Sequence, residues 1–213
     1  RTSLLLKHVE GKTATECSIG IGKQPDDKTE PYNLIADYQI CPNCGEKLKY
    51  NYLRYHHIGD VVCPKCGLHS PDKKYLATDI DREKMTITIQ EGDKKTVYPL
   101  IHTALFNIYN EVTVISALRE IGLSAERIKE LMGQIHIPDS RHNETTVNGV
   151  TVIQALSKGQ SAVSSSRTFE YVGQMRTGKK AILLAMDDLE DRQKSIEFSG
   201  WIYDLEYEQF NTG

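Results

Sequence analysis

Four cysteines in two Cys-x-x-Cys pairs are the residues of this sequence best suited to chemistry. Cys41-Pro-Asn-Cys44 is followed, after eighteen residues, by Cys63-Pro-Lys-Cys66. A Cys-x-x-Cys turn can direct two thiolates at one point, and the intervening length suits a hairpin that returns the second pair to the first. The spacing predicts a zinc ribbon over 41–66 with a closed four-thiolate site.

Two disulfides, a thioredoxin-like redox pair and an iron–sulfur cluster are the competing interpretations. The N-terminus does not resemble a signal peptide, and a redox pair would not need a duplicate, which favours structural zinc. A closed site has no open coordination position, so we expect it to hold structure. His56, His57 and His69 are spare ligands in principle, and we interpret them as polar loop residues.

Length and charge narrow the class of protein. The chain has 213 residues, enough for two modest domains, and a net charge of −3, which argues against a dedicated nucleic-acid binder. No apolar run approaches the length of a membrane span, and Cys17 is expected to be a free thiol in a reducing compartment. We expect a cytoplasmic protein whose two ends, at Arg1 and Gly213, are cut from a longer chain.

The ribbon needs strands on either side of its thiolate turns. Leu48, Tyr50 and Tyr52 alternate on one face of an expected strand, and Gly59-Asp60 is expected to turn the chain back. The tyrosines beside Arg54 also allow a nucleic-acid interpretation, because stacking surfaces with positive charge bind single strands. We favour the alternative that these tyrosines cover the thin core of the ribbon.

Further short elements frame the ribbon. Strands are expected at Ser3–Leu6 and Cys17–Ile21, and an exposed antiparallel hairpin is expected from the alternation in Met85–Ile89 and the return at Thr96–Tyr98. A helix is expected from Asn110 to Ile121. Its predicted apolar stripe is Val114, Leu118 and Ile121, widened by Ile115, and Gly122 is its predicted stop. Ser124 is expected to cap the next helix, whose predicted buried face is Ile128, Leu131 and Met132.

The pattern changes after Pro138. Apolar runs at Val150–Leu156 and Ala181–Met186 enclose a possible helix through Phe169, Tyr171 and Val172, which predicts a parallel sheet buried on both faces. Ligands of such sheets lie at the carboxyl ends of the strands. There, Lys158 with Gln160 could hold a carboxylate or phosphate, and Asp187 a cation or amine, unless they only cap loops.

Several stretches, taken in order, resemble the Mur ligase family in its MurT-type branch of ligase subunits. They are Cys41-Pro-Asn-Cys-Gly45 with Leu48-Lys-Tyr50, Gly59 before Val-Val-Cys-Pro-Lys-Cys-Gly67, Phe106-Asn-Ile-Tyr-Asn110, Leu118-Arg-Glu-Ile-Gly-Leu123 and Trp201-Ile-Tyr-Asp204. The resemblance begins near Leu4. It implies an α/β fold: the second half of a Mur ligase central domain (1–138) with the inserted ribbon, then a truncated Rossmann-like C-terminal domain (139–213).

The resemblance also implies a function in cell-wall peptidoglycan biosynthesis. Such ligases use ATP and Mg²⁺, in the full-length parent, to activate a carboxylate as an acyl phosphate that an amine attacks. In this branch the substrate is lipid-linked, the acceptor is the D-glutamate of the lipid II peptide stem, and a glutaminase partner supplies ammonia. By matching position, Asn107 is expected near the nucleotide, Arg141 at the ATP phosphates, and Lys158 in an Ala-Lys-Asn-Pro-type loop.

The departures from the family pattern define the alternatives. A Gly-rich phosphate loop is absent from this sequence, and Phe198 stands three residues before Trp201, where the family has the aspartate that is thought to complete the partner's catalytic set. Glu197 and Asp191 are the nearest acidic substitutes. We expect either part of such a ligase or a paralogue, with a non-catalytic zinc-ribbon scaffold and a nucleic-acid-binding ribbon as alternatives.

Overall fold

The computed structural model describes most of the chain in two compact units. The described residues are 16–32, 38–54, 58–103, 105–135, 142–155, 162–174, 178–185 and 196–210. Those up to 135 belong to the first unit and those from 142 onward to the second. Among them, no helix is both long and apolar enough to cross a membrane. The expected strand at Ser3–Leu6 lies outside the described residues.

A four-stranded sheet forms the centre of the first unit. Its order is β1-β4-β5-β6, with β1 and β4 parallel and the other neighbours antiparallel. The strands are β1 (Ile19–Ile21), β4 (Tyr75–Asp81), β5 (Thr86–Glu91) and β6 (Lys94–Pro99). The β5–β6 hairpin is confirmed, but the expectation that it is exposed is wrong. Ile87, Ile89 and Tyr98 are buried because this hairpin carries one side of the main core.

Two helices pack on this sheet, α1 (Leu105–Glu120) and α2 (Ala125–Met132). Gly122 adopts a left-handed conformation with φ 95° after α1, and the amide of Leu123 donates to the carbonyl of Leu118 at 3.0 Å, which closes the helix end. The hydroxyl of Ser124 accepts from the amide of Arg127 at the start of α2. Both the predicted stop and the predicted cap are confirmed.

Only part of the predicted apolar stripe of α1 faces the core: Ile115 is buried, and Leu118 is partly buried against the main cluster. Val114 and Ile121 are 54% and 73% exposed. The buried stripe is Ile108, Val112 and Ile115, of which only Ile115 was included in the prediction. Both stripes have helical spacing, and the sheet covers the second because that stripe continues into the apolar cluster of β4, β5 and α2.

The ribbon is a separate two-stranded antiparallel sheet, β2 (Lys49–Arg54) and β3 (Ile58–Val62). The β2 strand agrees with the expected one, although a bulge between Tyr50 and Tyr52 interrupts its alternation. The Gly59-Asp60 pair is not the turn that was predicted. It lies inside β3, because the backbone of β2 approaches so closely that only glycine fits at Gly59.

The described residues of the second unit form a hairpin and one α-helix, with short 3₁₀ helices near the end. Strands β7 (His142–Val147) and β8 (Val150–Ala155) pair antiparallel, and α3 (Ala162–Gln174) follows. Phe169 of α3 is buried with Ala162 and Leu205. The helix through Phe169 is therefore confirmed.

The predicted parallel pairing in this unit is not observed among the described residues. The turn at Asn148 and Gly149, with φ 51° and 79°, returns the chain at once and pairs β8 with β7. Most residues of β8 are exposed, and residues 178–185 form no strand. Short 3₁₀ helices occupy Ile196–Asp204 and Tyr207–Phe210. A Rossmann-like C-terminal domain stays a prediction.

Candidate metal centre

The four cysteine sulfurs of the ribbon converge, as their spacing predicts. The Sγ atoms of Cys41, Cys44, Cys63 and Cys66 lie within 4.8 Å of one another. The Cys41–Cys66 and Cys44–Cys63 pairs are each separated by 3.5 Å. A disulfide requires about 2 Å, whereas four sulfurs at about 2.3 Å from a zinc ion form a tetrahedron with edges of about 3.8 Å. The arrangement therefore fits a tetrahedral cation site.

Backbone turns set the direction of each cysteine pair. The amide of Gly45 donates to the carbonyl of Cys41 at 2.9 Å, and the amide of Gly67 donates to the carbonyl of Cys63 at 3.1 Å. Both glycines have positive φ, 72° and 74°, where a side chain would be strained. A glycine after each pair therefore lets the backbone fold back toward the sulfurs without strain.

The electrostatics favour a thiolate at Cys63. The amide of Cys66 lies 3.5 Å from the Cys63 sulfur, and its hydrogen bond is the main reason why the pKa of the Cys63 thiol falls to about 6. The pKa of Cys44 moves the other way, to about 12: the Glu46 amide lowers it, but burial and the neighbouring sulfurs outweigh that effect. Since a bound cation requires thiolates, metal binding must release protons from this cluster.

Burial makes the site closed on one side. Cys41 and Cys63 are buried, Cys44 is half-buried and Cys66 is exposed. His69 is outside the sulfur group, and its Nδ1 lies 2.7 Å from the carbonyl oxygen of Ser70. His56 and His57 lie outside the described residues.

Close contact between β2 and β3 aligns the two cysteine pairs. A Cβ on Gly59 would lie 2.1 Å from the carbonyl oxygen of Tyr52, which no real contact allows. Next to it, the Asp60 carboxylate accepts hydrogen bonds from Asn51 and from Lys73. Burial raises the pKa of Asp60, but the hydrogen bonds from the two donors outweigh that effect, so the pKa is lowered overall.

Arg54 lies at the opposite end of β2 from the sulfurs, and it is buried. Its guanidinium forms an ion pair with Asp27, whose side chain is also buried. Hydrogen bonds from two of its nitrogens hold the Asp27 carboxylate as a fork. Arg54 is therefore not available to stack with, or attract, a nucleic-acid strand. The nucleic-acid interpretation of the ribbon loses the positive charge on which it mainly depended.

Asn107 lies in the first turn of α1 and is half-buried. One turn further along, sequence reasoning missed a buried carboxyl, that of Glu111. Its Oε2 accepts from the amide of Ile101 at 3.1 Å, while its Oε1 is buried with no partner among the described residues. Its acidic side chain between two positions of an apolar stripe was the available signal.

The other predicted site residues lie outside the described part of the chain. They are Arg141, Lys158, Gln160 and Asp187. The backbone of Phe198 lies in the first 3₁₀ helix, and its side chain is outside the description.

Comparison with known proteins connects this geometry to a group of ligases. No family model matches the sequence. Subunit MurT of lipid II isoglutaminyl synthase (glutamine-hydrolyzing) from Staphylococcus aureus is 25% identical over 207 residues, which is 94% of this chain and 44% of that protein. The same subunit from Streptococcus pneumoniae is 30% identical over 96 residues, 43% of this chain and 20% of its own. The chain thus spans less than half the length of these relatives.

A pseudomurein peptide ligase type C from Methanothermus fervidus has a similar structure, with a TM-score of 0.55 at 20% identity, over 70% of this chain and 29% of that one. This likeness shows the fold, a mixed α/β chain, here with a four-cysteine ribbon. Together with the sequence matches it confirms the predicted resemblance. The chain is thus similar to the MurT subunits at 25% to 30% identity.

Proposed function

We propose that this chain is part of an ATP-dependent amide ligase that acts on a peptidoglycan precursor. The similarity to MurT over 94% of the chain is the observation that carries the proposal. The convergence of four sulfurs in the inserted ribbon supports it, because the sequence resemblance includes both cysteine pairs. The reaction would convert a carboxylate to an acyl phosphate, which an amine then attacks with loss of phosphate.

In this proposal the ribbon holds one structural zinc ion through Cys41, Cys44, Cys63 and Cys66. Zinc would stabilise the fold of the ribbon and take no part in the reaction, since four protein ligands leave no open position. Metal analysis of protein purified without chelator tests this, and one equivalent is expected. Less than about a tenth of an equivalent would contradict it, because a structural four-cysteine site retains its metal.

The proposed nucleotide contacts are Asn107, at the start of α1, and Arg141. Backbone amides at the start of a helix have no partner within it, so a polar side chain there can position a nucleotide at a surface that already favours negative charge. Lys158 and Gln160 would bind substrate carboxylate or phosphate, and Asp187 an amine or cation.

The decisive experiment uses the natural full-length protein with ATP, Mg²⁺, ammonium and a lipid-linked muropeptide. We expect ADP, phosphate and a product in which one carboxyl has become a carboxamide, identified by mass spectrometry. Asn107→Ala should lower kcat/KM for ATP roughly tenfold to a hundredfold, the effect of losing a hydrogen bond to a charged group. Gln134→Ala, which removes an exposed amide side chain after α2, is the matched control. Formation of the carboxamide without ATP, or no carboxamide from zinc-loaded protein with ATP present, would contradict the proposal.

The ammonia source forms a separate part of the proposal. The relatives are named as subunits of a glutamine-hydrolysing synthase, and we propose a glutaminase partner for this protein on that basis. Phenylalanine at position 198 cannot accept a histidine proton, and we propose that this chain does not complete the partner's catalytic set. Co-purified glutaminase activity that collapses on Glu197→Ala or Asp191→Ala would overturn this view.

A further inference from the structure

One arginine links the ribbon to the helix that carries the proposed nucleotide residue. Arg54, the last residue of β2, donates from Nη1 to the hydroxyl of Tyr109 on α1 at 3.0 Å. The same nitrogen lies 3.3 Å from the carbonyl oxygen of Ile21, and Nη2 donates to the carbonyl of Gly22 at 2.8 Å. With its fork to Asp27, a single side chain joins the ribbon, the end of β1, the loop after it and α1.

Burial restricts the orientation of the Arg54 guanidinium. Arg54 is 3% exposed, and the guanidinium is planar, with donors in a fixed fork. Its orientation is therefore set by Asp27 and the two carbonyls, and the position of the Tyr109 hydroxyl must follow. The hydrogen bonds and charge of Asp27, together with Tyr109, outweigh the opposing effect of burial and raise the pKa of Arg54.

The ribbon end of the link depends on the cysteine site. The buried cluster of the ribbon consists of Cys41, Leu48 and Cys63, with a few half-buried neighbours, and is separate from the main core. A cluster this small cannot hold a fold without a staple or a metal. The order of β2, and hence the placement of Arg54, should therefore depend on the cation at the sulfurs.

The helix end of the link is next to the proposed site. Tyr109 follows Ile108, which is fully buried, and lies two residues after Asn107 in the same turns of α1. A hydroxyl held by Arg54 restricts the rotation of these turns about the helix axis.

We propose that Arg54, acting through Tyr109, is a positioning residue that transmits the metal-dependent order of the ribbon to the first turns of α1. The physical linkage stands without the proposed function. Its consequence for ATP binding at Asn107 rests on that function. The coupling is energetic and must be measured as such, because contact alone does not demonstrate it.

Hydrogen–deuterium exchange of the full chain, with zinc and after chelation, tests the proposal. We expect chelation to accelerate exchange of the amides in the first turns of α1 by roughly fivefold or more, the lower end of usual coupling between sites. The amides of α2 should change little, because among the described residues Arg54 donates to Tyr109 of α1 and to no residue of α2. In Tyr109→Phe the α1 response should fall below about twofold, while the zinc content stays at that of the unmodified protein.

Tyr98→Phe is the matched control. It removes the hydroxyl of a different tyrosine of the same unit, one that is buried, and it should keep the full response of α1 to chelation. Arg54→Lys, which keeps the charge and loses the fork, should behave like Tyr109→Phe. If that variant does not fold, Tyr109→Phe alone still decides.

An equal α1 response in Tyr109→Phe and in the unmodified protein would overturn the proposal, as would an α1 that does not respond to zinc at all. The exchange readout separates this from the proposed function. A ligase whose α1 ignores zinc would refute the linkage alone. A zinc-coupled α1 in a protein without ligase activity would refute the function alone. If both hold, Tyr109→Phe should raise KM for ATP more than it lowers kcat.

Discussion

The buried carboxyl of Glu111 predicts a specific loss of stability as the pH rises. Only one of its oxygens has a partner, the amide of Ile101, and burial raises the pKa of Glu111 to about 7 although that hydrogen bond lowers it. In the unfolded chain the carboxyl returns to its ordinary pKa of 4.5. The folded protein therefore holds this proton more tightly than the unfolded chain does.

The sign and size of the effect follow from this difference. The stabilising contribution of the protonated carboxyl is complete below the ordinary pKa and disappears as the pH rises through the folded one. Each pKa unit corresponds to about 1.4 kcal/mol, so raising the pKa from 4.5 to about 7 corresponds to a loss of roughly 3 kcal/mol between those pH values. This is a large part of the stability of an ordinary domain.

Replacing Glu111 by Gln removes the titration and keeps an acceptor for the Ile101 amide. Urea unfolding at a series of pH values from 5 to 8, at fixed free zinc, gives the free energy of unfolding for both proteins. The titration of the cysteines is common to both and cancels in the difference. We expect Glu111→Gln to gain roughly 3 kcal/mol on the unmodified protein over this range, and the exposed control Glu83→Gln to gain nothing. A difference that stays constant with pH within about 0.5 kcal/mol would refute the reasoning.

Three further predictions test the ribbon and the second helix. Cys63→Ser should reduce bound zinc from one equivalent to less than about a tenth and abolish protection of the β2–β3 amides, as metal analysis and hydrogen exchange will show; retained zinc would contradict a four-cysteine site. Gly59→Ala should cost about 1–3 kcal/mol through the clash with the Tyr52 carbonyl and weaken zinc binding measured against a competing chelator. Ser124→Ala should lower the free energy of unfolding, measured in urea, by about 1 kcal/mol because α2 loses its N-cap. No change would show that the cap is dispensable.

Local signals in the sequence predicted the parts of the structure that local chemistry determines. The cysteine spacing, the stop at Gly122 and the cap at Ser124 each depend on a few neighbouring residues, and the structure agrees with all three. The same kind of signal was present and unused at Asn148-Gly149, a dipeptide typical of a two-residue hairpin turn. That omission led to the wrong partner for β8.

Long-range packing explains the other errors. Helix α1 has two apolar stripes with the same period, and only the position of the sheet decides which of them is buried. The periodicity of the sequence alone therefore cannot predict which stripe faces the sheet. The burial of Arg54 likewise could not be predicted locally, because its partners Asp27 and Tyr109 are 27 and 55 residues away in the sequence.

The positions of the two anchors of β2 explain why a metal and a buried ion pair occur in one small element. The sulfur cluster fixes the ribbon near Lys49, and Arg54 fixes it at the other end of the same strand. A strand held only by the cation could still pivot about that point, whereas one held only by Arg54 would leave the cysteine turns without a core. Removing the anchors should thus give different results. Loss of zinc should release the cysteine turns and, through β2, relax α1, whereas loss of the Tyr109 hydroxyl should relax α1 and leave the metal bound.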